Sequence, residues 1–362
     1  MKNPFVQIIA YPFAIVYGFI TGIRNWLFDI GILPSQNFAI PTISVGNLAV
    51  GGTGKTPHAE FLLSFLKAEW KVALLSRGYK RKTKGFYLAI STSDSNALGD
   101  ESYQIHKKFS DLTVAVDEKR VRGVKKLQEI DPSLQVVVLD DAMQHRQIHP
   151  GLSILLTDFS ALYTHDTMLP AGNLREWRSG SRRASIIVVT KCPLDLKPID
   201  MRLIETEIHP ETNQLLFFSS FVYDEIVPVF PSNVPIAIDT THIKSKKAQV
   251  LLVAGIVSPE AIVEQLKLYT PNVQTRFYGD HHNFTQKDFA SISKSFDALV
   301  GAEKYLIVTE KDAARIVSNP LFPEELKAFT YSLPIHVEIL FNQKELFVQK
   351  VQSYVTENSR NR

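Results

Sequence analysis

The octapeptide Ala49-Val50-Gly51-Gly52-Thr53-Gly54-Lys55-Thr56 has the spacing of a phosphate-binding loop, with Ala where the first Gly usually stands. Glycines let backbone N–H groups curl around phosphate oxygens, and the following helix turns its positive end toward them. At this spacing Lys55 reaches the β- and γ-phosphates of a nucleotide, and the Thr56 hydroxyl ligates Mg²⁺. Pro57 is tolerated because the first helical turn has donors to spare. The ordinary alternative is a chance glycine turn. Context argues against it. An apolar run at residues 39–45 precedes the loop, and residues 57–70 follow with Phe61, Leu62, Phe65 and Leu66 on one helical face. A second apolar run, Val136-Val137-Val138-Leu139, ends in Asp140-Asp141. A carboxylate at the carboxyl end of a buried strand is where such a fold holds its second link to Mg²⁺. Two solvated aspartates in a turn are the plain alternative.

Other candidates surround phosphate chemistry. Arg175, Arg178, Arg182 and Arg183 crowd one segment with Glu176, which suits recognition of phosphate and suits an ordinary basic surface equally. Arg77 and Tyr79 follow a strand end, where substrate loops sit in open α/β sheets. A guanine-specific switch would need an Asp after its Asn/Thr-Lys pair. The nearest segment, Thr190-Lys191-Cys192-Pro193, has Pro there, which counts against a GTPase.

These residues need a scaffold. At about 150 residues per domain, a chain of 362 residues predicts two. Short β-branched runs at 72–75, 114–116, 136–139, 154–156 and 186–189 alternate with helical stretches. The pattern predicts an α/β fold: a mostly parallel sheet of the P-loop NTPase kind, covered by helices on both faces. Its expected span is residues 34–220. Pro228, Pro231 and Pro235 break up residues 221–247, read as an interdomain connection. A smaller α/β domain is expected over residues 248–362. The net charge of +3 (40 Lys+Arg against 37 Asp+Glu) argues against nucleic acid as a partner. The single Cys192 precludes an internal disulfide and multi-cysteine zinc sites. Residues 1–33 stand apart. Residues 3–23 hold no charge and are rich in Phe, Ile, Val, Ala and Tyr, with Pro12 inside and Arg24 and Trp26 just beyond. Their length allows a membrane span, their flanks suit a helix lying at a headgroup boundary, and a buried core helix is the third reading.

Eight separated motifs now occur in one order: Ser44-Val45-Gly46-Asn47, the loop through Gly54-Lys55-Thr56-Pro57, Ser76-Arg77-Gly78-Tyr79, Gly99-Asp100-Glu101, Asp140-Asp141 with Gln144-His145-Arg146, Leu169-Pro170-Ala171-Gly172 with Leu174-Arg175-Glu176, Asp280-His281-His282, and Val308-Thr309-Glu310-Lys311-Asp312-Ala313. Together they resemble the tetraacyldisaccharide 4′-kinase family, the lipid A 4′-kinases of Gram-negative bacteria. Ala142-Met143 departs from the Gly-Phe usual in that family. The resemblance implies transfer of the γ-phosphate of ATP to the 4′-hydroxyl of an acylated glucosamine disaccharide 1-phosphate, giving lipid IVA, with Mg²⁺ as cofactor. It implies Asp100 as base, assisted by a histidine of the second domain, where family position favours His281 over the adjacent His282. Read alone, Asp100 equally suits the cap of a helix. The implied site of action is the cytoplasmic face of the bacterial inner membrane, with the apolar start as a docking helix. The competing reading is a P-loop NTPase that works at the membrane as a switch or assembly factor.

Overall fold

The computed structural model describes residues 4–234, 238–256, 259–280 and 282–359. Its β-branched runs form strands buried along their whole length, such as Val136–Asp140 and Ile186–Thr190. Burial on both faces is what a helix-covered parallel sheet requires. In chain order the strands are β1 (Thr42–Asn47), β2 (Val72–Ser76), β3 (Tyr87–Leu88), β4 (Thr113–Val116), β5 (Val136–Asp140), β6 (Leu152–Asp158), β7 (Ile186–Thr190), β8 (Leu215–Tyr223), β9 (Val227–Pro228), β10 (Gln249–Ala254), β11 (Val273–Phe277), β12 (Lys304–Thr309), β13 (Thr330–Leu333) and β14 (Ile335–Ile339). Nine build the larger sheet, in the order β14-β8-β7-β6-β1-β5-β2-β4-β3. All its pairings are parallel except β14 with β8 and β3 with β4. Val45 lies opposite Asp140, so the carboxyl ends of β1 and β5 emerge side by side. On one face, Ala59, Leu62, Leu63 and Leu66 of helix Lys55–Leu66 pack with Ile43, Val45 and Val138. On the other, Val124 and Leu127 of helix Arg120–Ile130 pack with Leu75 and Leu139. The expected α/β architecture with helices on both faces is therefore present.

The smaller sheet has the order β11-β10-β12-β13-β9. Ile262 and Leu266 of helix Glu260–Tyr269 join its core on one side, and Phe289, Ile292 and Phe296 of helix Gln286–Asp297 join it on the other.

Both expected domain limits need correction. Residues 221–247 are no mere connection: β9 joins the smaller sheet, and helix Thr240–Lys246 buries Ile243 in its core. Nor does the smaller domain run to residue 362. β14 returns to the larger sheet antiparallel to β8, with Val337 opposite Phe221. Helix Lys344–Ser359 then seats Phe347, Val351 and Val355 in the first core. The smaller domain is thus inserted between β8 and β14, and its two connections touch where Asp224 N–H donates to Pro334 O at 3.0 Å. A five-residue strand, Ile-His-Val-Glu-Ile, carries no mark of which distant edge it will join.

The amino-terminal helix, Pro4–Asp29, keeps Pro12 inside it. One face lies along the body. Ala14 is buried, the Tyr17 hydroxyl donates to Arg175 O at 3.0 Å, and Trp177 Nε1 donates to Gly18 O at 2.7 Å. A Cβ at Gly18 would sit 2.7 Å from Trp177 Cζ2, so this approach requires glycine. The other face carries Ile9, Phe13, Val16, Phe19 and Ile20, all exposed. The stretch Ile8–Asp29 is long and apolar enough to cross a membrane, yet it is largely unburied, so it is not an ordinary core helix. Its apolar exposure is compatible with membrane association.

Candidate active site

The candidate phosphate-binding loop lies between β1 and helix Lys55–Leu66. Gly54 opens the helix at φ +85°, a conformation that strains any residue with a Cβ. The loop is pinned at several points. Asn47 Nδ2 donates to Thr53 Oγ1 at 2.7 Å, and Thr190 Oγ1 donates to Thr53 O at 2.9 Å. His58 binds Gly54 O through Nδ1 at 2.8 Å and Ser219 Oγ through Nε2 at 2.9 Å. Burial pushes His58 down to about 4, so the ring is neutral near pH 7, donates from Nδ1 and accepts at Nε2. Lys55 Nζ rests 3.5 Å from Asn47 Oδ1.

The segment bearing Arg175 runs beside this loop: Val50 N–H donates to Asn173 O, and Arg175 N–H to Leu48 O, both at 2.8 Å. The Arg175 guanidinium grips Asp141 with both arms, at 2.8 and 3.1 Å, and also donates to Asn47 Oδ1. Burial disfavours the charge on Asp141, but Lys55 and Arg175 outweigh it and draw the carboxyl down to about 2. Asp140 behaves oppositely. Burial, then the nearby charges of Glu101 and Asp141, push it up to about 7 against Lys55 and Arg120. Its Oδ2 accepts from Ser76 Oγ at 3.2 Å, while Oδ1 is buried without a hydrogen-bond partner. A buried oxygen of that kind fits a cation ligand. Among the described residues no group of three or more His, Cys, Asp or Glu side chains converges on a metal position. A cation held by one hydroxyl, one carboxylate and nucleotide phosphates needs none.

The four-arginine cluster disperses. Arg175 alone faces the loop. Arg178 donates to Asp166 O, Arg182 pairs with Glu211 at the surface, and Arg183 pairs with Glu176 at 2.7 Å. Glu176, expected to bind substrate, is instead buried and accepts from Arg183, Asn25 Nδ2 and Gln144 Nε2. Its carboxylate ties the amino-terminal helix to the body, and its negative charge would repel a phosphate. Arg77 is exposed, and its charge bears on buried Arg120 and on His145, which burial and these two arginines push down to about 4.

Asp100 starts helix Asp100–Lys108, whose neighbour Glu101 bears on Asp140. Asp100 Oδ2 accepts from Arg315 Nε of the smaller domain at 2.9 Å. His281, the expected assistant, lies outside the described residues. His282 is engaged within its own domain, 3.0 Å from Asp288 Oδ2 and stacked on Tyr278. The structure thus brings Lys55, Thr53, Asp140, Asp141 and Arg175 together around the loop. Sequence reasoning gave no role to Asn47, His58, Gln144, Asp312 or Arg315. Asn47, Gln144 and Asp312 lie inside motifs already singled out. His58, one turn into the helix, carried no signal of its own.

The family model described as tetraacyldisaccharide-1-P 4′-kinase matches residues 6–356. A tetraacyldisaccharide 4′-kinase of Bacteroides thetaiotaomicron is 48% identical over 368 aligned residues, spanning 100% of this chain and 97% of that protein. One from Flavobacterium psychrophilum is 41% identical and spans 99% of each. Among solved structures, the "apo" form of LpxK from Aquifex aeolicus in complex with ATP aligns with a TM-score of 0.72 at 25% identity, covering 97% of this chain and 99% of that one.

Proposed function

Because this chain belongs to the tetraacyldisaccharide-1-phosphate 4′-kinase family and is an ATP-dependent kinase of lipid A biosynthesis, we propose the following division of labour among its residues. The loop from Ala49 to Thr56 cradles the phosphates of ATP. Lys55 spans the β- and γ-phosphates. Thr56 and Asp140 are the ligands for Mg²⁺, which when bound neutralises charge on the phosphate oxygens. Asp141, gripped by Arg175 at both oxygens, is the charge partner of Lys55 and Arg175, and Asp140, with its buried unpartnered oxygen, is the better cation ligand of the pair. Arg175 supplies a guanidinium beside the transferred phosphoryl group. Asp100 takes the proton of the acceptor hydroxyl as its oxygen bonds to the γ-phosphorus and the bond to the β-bridging oxygen breaks, releasing ADP. Arg77 is proposed as an anion contact for the disaccharide 1-phosphate lipid. The observation that carries this reading is the Lys55–Asn47–Arg175–Asp141 cluster beside the unsatisfied oxygen of Asp140.

Asp140→Asn tests the cation assignment. Asp140 gains its proton on folding between the ordinary carboxylate range and pH 7. Its contribution to stability is therefore fully present below that range and lost as pH rises through about 7. The nucleotide-free variant should melt a few degrees above wild type at pH 8, with the gap closing by pH 5. The Mg²⁺ concentration for half-maximal turnover should rise at least about tenfold, a loss of ~1.4 kcal/mol. Unchanged Mg²⁺ dependence would remove Asp140 from the cation site.

We also propose that the exposed face of the amino-terminal helix rests on the cytoplasmic leaflet of the inner membrane, where ATP meets a lipid that stays in the bilayer. Phe13 and Phe19 project from that face, 65% and 66% exposed. Phe13→Glu with Phe19→Glu should abolish co-sedimentation with phospholipid vesicles and leave the melting temperature unchanged. Undiminished sedimentation would locate the contact elsewhere.

A further inference from the structure

Helix Glu310–Val317 of the smaller domain meets helix Asp100–Lys108 of the kinase domain with their charges in antiparallel order. Glu310 pairs with Lys108 at 2.9 Å, and Lys108 in turn with Glu60 of the helix that follows the phosphate-binding loop, at 2.6 Å. At the other end stands Arg315, whose side chain is 5% exposed. Its Nη1 donates to Asp312 Oδ1 at 2.9 Å and to Gly255 O at 3.4 Å. Asp312 is wholly buried, and its second oxygen accepts from Gly255 N–H at 2.8 Å and Thr309 Oγ1 at 2.7 Å. On its own domain, then, the guanidinium is clamped in plane and position before it touches anything else. From there its Nε reaches across the boundary to Asp100 Oδ2 at 2.9 Å.

We propose that Arg315 is a positioning residue for Asp100: the smaller domain presents a pre-set guanidinium that fixes the plane of the carboxylate receiving the acceptor proton. The proposal rests on the reading of Asp100 as base. A base must lie within hydrogen-bond reach of the hydroxyl and aim a lone pair along it, and small misplacements cost large factors in rate. Arg315 Nε, itself held through Asp312, fixes the position of one oxygen of that carboxylate. Because that donor belongs to the other domain, the aim of Asp100 is tied to the arrangement of the two domains. A planar fork suits this role, since Nε and Nη1 point in different directions and serve two carboxylates at once. Lysine would keep a positive charge beside Asp312 and lose that simultaneous grip.

The test is steady-state kinetics of Arg315→Lys with Mg·ATP and detergent-dispersed tetraacyldisaccharide 1-phosphate. The expected result is a fall in kcat of about tenfold or more, with the KM for each substrate, ATP binding and melting temperature close to wild type. Asp312→Asn, which loosens the clamp without touching Asp100, should show the same kcat-only loss and serves if the lysine variant is unstable. A double variant, Asp100→Asn with Arg315→Lys, should lose no more than Asp100→Asn alone, since the two act as a unit. Wild-type kcat in both Arg315→Lys and Asp312→Asn, while Asp100→Asn is inactive, overturns this proposal and leaves the base in place. Turnover by Asp100→Asn overturns the base itself. Multiplicative losses in the double variant would mean that Arg315 acts independently of Asp100, and the proposal fails on that result too.

Discussion

Asp100→Asn is expected to lower kcat by about 10²–10⁴-fold, the range that a positioned base contributes, while leaving ATP affinity within a factor of about two. A sugar hydroxyl is a poor nucleophile, and its proton must leave as the phosphoryl group arrives. The amide is isosteric with the carboxylate and keeps a carbonyl oxygen for Arg315 Nε, so the contact at 2.9 Å survives. What it loses is basicity. The phosphate-binding loop is a separate segment, held by Asn47, Thr190 and His58. Single-turnover transfer from γ-labelled ATP, set beside equilibrium binding of ATP, separates the two effects. A variant that turns over at the wild-type rate would show that the hydroxyl proton leaves by another route.

Lys55→Met should cost about 10²–10³-fold in kcat/KM, as removal of one pre-aimed charge at a transferring group does. Two effects combine. The ammonium that meets the β- and γ-phosphates is gone, and Asp141 loses the charge that most favours its ionised form. Arg175, with only the more distant charge of Arg120 to help it, is then left to hold that carboxylate and is less able to turn toward a phosphate. Methionine fills the space of the lysine stem, so circular dichroism and melting temperature should hardly move. Retained phosphoryl transfer would mean that the phosphates sit elsewhere.

What could be read from the sequence was local. The glycine-rich loop and Asp140-Asp141 were legible as neighbours because each sits in consecutive residues at the end of an apolar run, and β1 and β5 put those ends side by side. The basic segment was not legible. Arg175, Arg178, Arg182 and Arg183 look alike in sequence, yet one grips Asp141 and another a buried Glu176, because a tight run of turns sends neighbouring side chains in different directions. Glu176 itself was misread for a related reason: a carboxylate in a basic segment looks like a site residue until Asn25, 151 positions away, is seen to bond it. The Arg315–Asp100 contact spans 215 positions, and nothing in either local pattern announces it. The destination of β14 was hidden in the same way.

That last strand has a consequence for how the protein is made. The larger sheet is closed by β14 and by helix Lys344–Ser359, the last elements among the described residues. During vectorial synthesis the inserted domain, complete by Leu333, emerges whole and can fold while the sheet around the phosphate-binding loop still lacks an edge. Until β14 and the helix after it emerge, β8 presents Phe217 and Phe221 without those later neighbours, as an unpaired and apolar border. The nascent kinase is therefore exposed to wrong pairing for as long as the inserted domain is being made. A chain cut after Leu333 would carry the loop between β1 and helix Lys55–Leu66 in full and leave its larger sheet open.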